Sequence, residues 1–264
     1  MKLTKTFPLL IAGVIAAACA SHAAPQATTS AQTQAQTQTP PLPVTSPRPP
    51  TPPGTIPDNI RWMQNSAEYM GIAVQTYRLA TARVETDARG RAAGSWGVVL
   101  DADDTVINNI QYQAGLFRDG VVHSTDRFTA FVRQFASTPV PGAAGFLSRV
   151  HALGGRIAIV TNRLAIECDD TAEMLRRLSL QHDAMICRPE GAPSSADKTP
   201  RYRAIAAGQT AASRTPIDIL VYVGDNIMDF PNGTQALRAQ GEAAYGEFGV
   251  RWFLLPNPMY GSWQ

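Results

Sequence analysis

The chain has 264 residues and a formal charge of +2, with 23 basic side chains against 21 acidic ones. Two of the cations, Lys2 and Lys5, stand at the extreme N-terminus; without them the balance is 21 to 21. A neutral chain gives no electrostatic reason to expect a nucleic-acid polymer or an anionic membrane surface as a partner.

Residues 1–18 read as a signal peptide. Lys2 and Lys5 form a short positive region, and Leu9 to Ala18 is an apolar stretch ending in small residues, too short to span a bilayer. Ala16-Ala17-Ala18-Cys19 resembles a bacterial lipobox, which would make Cys19 a lipidated N-terminus and attach the protein to a membrane. Ordinary cleavage after Ala20 or Ala23 is the alternative. Either route places the protein in a bacterial cell envelope, on the outer membrane or in the periplasm.

Residues 19–58 are expected to be a disordered tether. From residue 24 to 57 the sequence is rich in Pro, Gln, Thr, Ser and Ala, and its one charge is Arg48. Such a stretch buries too little apolar surface to offset chain entropy. Its Pro-rich half should be extended and semi-rigid.

Residues 59–264 are long enough for one α/β domain with a small accessory region. Ile60, Met63, Ala67, Met70, Ala73, Tyr77 and Ala80 recur at helical spacing and predict one or two amphipathic helices over 60–88. Three short apolar runs, 96–100, 156–160 and 217–223, read as buried parallel strands. Helical stretches are expected at 142–153, 170–180 and 198–207. Strands alternating with helices imply a Rossmann-like parallel sheet covered on both faces, with ligands bound beyond the carboxyl ends of its strands. Cys168 and Cys187 are an even pair if Cys19 is lipidated. They could form a disulfide in an oxidising compartment or remain two buried thiols.

Polar groups gather at those strand ends. The first strand runs into Asp101-Ala102-Asp103-Asp104-Thr105, the second into Thr161-Asn162-Arg163, and the third into Gly224-Asp225-Asn226 with Asp229 just beyond. Residues two apart leaving a strand point the same way, so Asp101 and Asp103 form a carboxylate pair. Close carboxylates raise one pKa, which favours an ionised nucleophile beside a proton-carrying acid. With Asp225 and Asp229 the cleft holds four acids, which repel unless a cation intervenes; oxygen ligands and a phosphate substrate favour Mg²⁺. Lys198 is the one Lys among 20 Arg outside the leader. A compact ammonium suits point contact with a phosphate, which a guanidinium does differently. This is the set of groups that phosphate-ester cleavage requires: a nucleophile, an acid, a cation and a phosphate grip.

These strings resemble the four motifs of the haloacid dehalogenase superfamily. The stretches Trp62-Met63-Gln64-Asn65-Ser66-Ala67-Glu68-Tyr69 and Leu255-Pro256-Asn257-Pro258-Met259-Tyr260-Gly261-Ser262-Trp263 are similar to the class C acid phosphatases, the bacterial lipoprotein e type with 5′-nucleotidase activity. The resemblance covers residues 60–264. It implies a haloacid dehalogenase-type sheet with a small helical cap, and hydrolysis of nucleoside 5′-monophosphates through an aspartyl-phosphate. It assigns Asp101 as nucleophile and Asp103 as general acid and base. Mg²⁺ would be bound by the Asp101 carboxylate, the Asp103 carbonyl and Asp225. Thr161, Asn162 and Lys198 would hold the phosphoryl group, and Asp229 would either support the metal ligands from behind or position Lys198. Tyr260, faced by Phe117, would stack on the substrate base.

The chain departs from that pattern at two positions: Asp104 stands where many relatives have Glu, and Asn108 replaces a common Asp. Neither position supplies attacking chemistry. A phosphotransferase would share the aspartyl-phosphate, and a surface lipoprotein that binds without catalysis is a further alternative. Asp103 supplies the acid that a phosphate leaving group needs, which disfavours a dehalogenase. Nothing in the sequence fixes the oligomeric state.

Overall fold

The computed structural model describes residues 54–193, 197–210 and 214–264. The expected signal peptide, Cys19 and the tether up to residue 53 lie outside the described residues. No helix among those described is long and apolar enough to cross a membrane.

A five-stranded sheet forms the centre, in the order β5-β4-β1-β6-β7, with every pairing parallel. The strands are β1 (Trp96–Leu100), β4 (Arg156–Val160), β5 (Ala184–Ile186), β6 (Asp218–Gly224) and β7 (Trp252–Leu254). A side-chain period of two divides each central strand between the faces. Val98, Leu100, Ile157, Ile159, Val221 and Val223 join one core, under α2 (Ala67–Asp87), α5 (Ala143–Ala152) and α6 (Cys168–Arg177). Val99, Ala158, Val160, Ile219 and Tyr222 join the other, beneath α7 (Thr199–Ala206). The near-continuous apolar reading of these strands thus reflects burial on both sides.

The three expected central strands and three expected helices lie within a few residues of their predicted ranges. The N-terminal periodicity resolves into two helices, α1 (Asp58–Asn65) and α2, because Ser66 takes extended backbone and its hydroxyl accepts the Tyr69 N–H at 3.0 Å. This N-cap restarts the helical phase. Tyr69, Ala73, Tyr77, Ala80 and Val84 are therefore buried, whereas Met70, expected on the apolar stripe, is 53% exposed.

Between β1 and α5 the chain inserts the small accessory region. It comprises α3 (Ile110–Arg118), α4 (Thr125–Val132) and a two-stranded antiparallel ribbon of β2 (Ile107–Asn108) and β3 (Thr138–Pro139). Asn108 has a structural place here: its carboxamide donates to the Tyr69 hydroxyl at 3.1 Å and accepts the Ile110 N–H at 2.8 Å. An Asp could accept from Ile110 but could not donate to Tyr69. Cys168 and Cys187 form a disulfide that ties the start of α6 to the residue after β5.

Candidate active site

Two strands deliver the acidic groups to one edge. Asp101 leaves β1 with its N–H on the Val223 carbonyl at 3.0 Å, so the ends of β1 and β6 are in register. Asp225 follows β6 directly. Gly224 is required between them and Asp229, since a Cβ there would sit 2.3 Å from the Asp229 Cβ. The Asp229 carboxylate folds back to accept the Asn226 N–H at 2.9 Å. One oxygen from each of Asp101, Asp225 and Asp229 lies within 4.8 Å of the others.

Lys198 enters from the N-terminus of α7 and is 3% exposed. Its ammonium donates to Asp101 Oδ1, and to Asp229 Oδ1 at 2.6 Å. Burial pulls that ammonium toward neutrality, but Asp101 and Asp229 outweigh it and keep the group charged. Burial pushes the Asp101 carboxyl up to about 7 against the pull of Lys198, and Asp229 and Asp103 push the same way. Asp225 is also raised well above the usual carboxylate range, by burial and then by Asp229, Asp101 and Asp104. Its two oxygens accept from the Thr105 hydroxyl at 3.0 Å and the Asn257 carboxamide at 2.7 Å.

Asp103 does not point into this carboxylate cluster. Arg163 holds it through Nη2 at 2.7 Å and Nε at 3.0 Å, and the Asn109 carboxamide donates to the same carboxylate at 2.5 Å. The Arg163 side chain is completely buried, over the Phe128 ring and bonded to Thr171 at 2.9 Å, while the Asp103 side chain stays 20% exposed. The Asp103 carboxylate is thus partly exposed on a fixed mount.

Thr161 and Asn162 reach the site through the loop after β4. The Thr161 hydroxyl is buried and accepts the Arg163 N–H at 3.1 Å. Arg201, one turn along α7 from Lys198, donates to the Thr161 carbonyl at 2.7 Å and the Asn162 carboxamide oxygen at 2.5 Å. Sequence reading left out Arg163, Arg201 and Asn109 as working parts. Arg163 stood inside a motif already quoted, but in a chain with 20 arginines no local pattern separates a mount from a surface cation.

The C-terminal segment closes the cleft. Asn257 binds Asp225, Ser262 donates to Asn226 Oδ1 at 2.6 Å, and the Tyr260 hydroxyl donates to Asp104. Tyr260 and Phe117 pack against the same apolar cluster, with Trp62, Ile110 and Met259. A cleft of about 290 Å³ opens beside Asp225 and Asn226, walled by Gln235, Tyr245 and Trp263.

Five carboxylates meet three cations, Lys198, Arg163 and Arg201, among the residues that bear on this edge. The excess negative charge, carried on oxygen donors, fits a hard divalent cation. The oxygens that converge closely enough to share an ion belong to Asp101, Asp225 and Asp229, and Asp229 also holds Lys198 and the Asn226 N–H.

The family model described as HAD superfamily, subfamily IIIB (acid phosphatase), matches residues 18–263. Two solved structures of the class C acid phosphatase from Bacillus anthracis share the fold, one of them with tungstate bound. Their TM-scores are 0.67 and 0.66, at 22% identity over 78% of this chain and 84% of theirs.

Proposed function

The chain belongs to subfamily IIIB of the HAD superfamily, the acid phosphatases, and is a phosphomonoesterase; on that premise we propose that it hydrolyses nucleoside 5′-monophosphates in the bacterial cell envelope through an aspartyl-phosphate on Asp101. The observation that carries the reading is the Lys198 ammonium, buried between Asp101 and Asp229 at the strand ends. An ammonium in contact with a strand-end carboxylate supports the reading of Lys198 as phosphate grip and Asp101 as nucleophile.

An Asp101 oxygen attacks phosphorus while the bond to the ester oxygen breaks. Asp103 gives its proton to the departing alkoxide. A water oxygen then attacks the phosphorus of the aspartyl-phosphate, Asp103 takes the proton, and phosphate leaves with Asp101 restored. Lys198 holds a non-bridging oxygen of the phosphoryl group, and Asp229 fixes Lys198 in turn. The loop carrying Thr161 and Asn162, braced by Arg201, forms the other side of the grip. Mg²⁺, held by Asp101, the Asp103 carbonyl and Asp225, would screen the anionic nucleophile from the anionic phosphoryl group. Tyr260 and Phe117 are the aromatic faces available for a nucleobase. The Bacillus anthracis structure with tungstate bound holds a tetrahedral oxyanion similar to phosphate, which supports phosphate chemistry for this chain.

The secreted location and the lipid on Cys19 rest on the leader sequence, and mass spectrometry of the mature N-terminus tests them. For the activity, purified protein is assayed against nucleotides, sugar phosphates and simple alkyl phosphates, with Mg²⁺ and after chelation. Nucleoside 5′-monophosphates should give the highest kcat/KM, and Asp101→Asn should abolish turnover. Equal phosphate release by wild type and Asp101→Asn would refute the mechanism.

A further inference from the structure

We propose that Asp104 is a positioning residue that fixes, through Tyr260, how far the aromatic wall stands from the nucleophile, and thereby sets the preference for ring-bearing phosphomonoesters. The inference deepens the nucleotide reading above and rests on it.

Asp104 lies three residues after Asp101 in the same tight turn. Its backbone sits at φ +49°, a left-handed conformation that costs a non-glycine residue on the order of 1 kcal/mol. The turn is closed by the Asp104 N–H on the Ile107 carbonyl at 2.7 Å and the Val106 N–H on the Ala102 carbonyl at 3.0 Å. One carboxylate oxygen accepts the Asn109 N–H at 3.1 Å, and the residue is 1% exposed. The side chain therefore cannot move without the turn that carries Asp101 and Asp103.

The other oxygen accepts the Tyr260 hydroxyl, from 156 residues away in sequence. The neighbours of Tyr260 are pinned as well. Asn257 is bound to Asp225 and Ser262 to Asn226. Gly261, at φ +151°, has no room for a Cβ between Trp263 and Asn226. These anchors hold the segment to the β6 loop. The Tyr260 hydroxyl connects it to the nucleophile turn. Tyr260 itself is partly exposed and packs against the same apolar cluster as Phe117 and Trp62.

One oxygen caps the Asn109 N–H, but burying a charge to hold the phenol as well is a costly way to gain stability. It is an effective way to set a distance, since a charge-assisted hydrogen bond tolerates little stretch. The length of the side chain at position 104 then defines the gap between phosphate grip and wall, and one methylene changes it by about 1.5 Å.

The test compares Asp104→Glu, Asp104→Asn and Tyr260→Phe with wild type on three substrates: a nucleoside 5′-monophosphate, phenyl phosphate and glycerol 2-phosphate. The readout is the ratio of kcat/KM for each ring-bearing substrate to that for glycerol 2-phosphate. Tyr260→Phe and Asp104→Glu should lower this ratio about tenfold, mainly through KM. Asp104→Asn keeps the side-chain length and an acceptor, and should restore at least half of the wild-type preference. Thermal denaturation identifies any variant that fails to fold, and the Asn variant then decides. A uniform fall on all three substrates, or an unchanged ratio in Tyr260→Phe, would overturn the proposal. A wild-type enzyme that favours phenyl phosphate but not the nucleotide would refute the nucleotide reading and leave the positioning role measurable.

Discussion

Replacing Lys198 with Met keeps most of the side-chain volume and removes the charge. Lys198 is 3% exposed and donates to two carboxylates, each more than nine-tenths buried. Removing one partner of a buried ionic set typically costs about 3–5 kcal/mol, because the remaining charges lose their compensation without returning to water. For a domain of this size, a destabilisation of 1 kcal/mol lowers Tm by roughly 2–4 °C, so a fall on the order of 10 °C is expected. The loss should depend on pH. With Lys198 present, burial already holds the Asp101 carboxyl up at about 7. Without the ammonium it moves higher still, so the folded variant retains a proton that the unfolded chain has released. By linkage, stability then falls as pH rises over that range. The decrease in Tm relative to wild type should be larger at pH 8 than at pH 5. Differential scanning calorimetry in chelator-treated buffer measures it, and phosphate release on the same samples should fall by at least a hundredfold. An equal Tm shift at both pH values would refute the argument that Lys198 compensates buried carboxylates.

Arg163→Lys keeps a cation but loses the two-pronged hold on Asp103. It should lower kcat at least tenfold while KM changes less than threefold, measured by steady-state kinetics. Cys168→Ser with Cys187→Ser removes a bridge between residues 19 apart and should cost about 3 kcal/mol in urea denaturation. In chelator the wild-type domain should become less stable between pH 4 and pH 7. Burial raises Asp104 from 3.8 to about 6 and Asp101 to about 7, so the native state binds protons that the unfolded state has lost. Added Mg²⁺ should flatten this slope, as followed by Tm across a pH series.

The helical cap was the least legible part of the fold. Residues 107–139 carry α3, α4 and a two-residue ribbon, too short for periodicity to separate from loop. The edge strands β5 and β7 have three residues each and form only because a neighbouring strand offers its backbone. At the site, the acidic motifs stood out because each follows an apolar run. Arg163, Arg201, Asn257 and Ser262 did not, since their work consists of contacts across 32 to 60 residues of sequence. Asp103 illustrates the difference: the spacing after β1 predicts a carboxylate pair with Asp101, whereas its turn away from that cluster and its pairing with Arg163 depend on how the loop after β4 folds over the sheet.

By itself the sequence determined the central strands, the helices that cross between them, the edge at which the acids collect and the residues that head each motif. These follow from local periodicity and from the rule that parallel strands present their ends together. The tertiary structure decided which carboxylate takes which partner: Lys198 with Asp101 and Asp229, Arg163 with Asp103, Tyr260 with Asp104. The physical reason is that such pairings are set by desolvation and by distance through space. Both depend on packing the whole chain around the cleft, and neither is written in the spacing of any one motif.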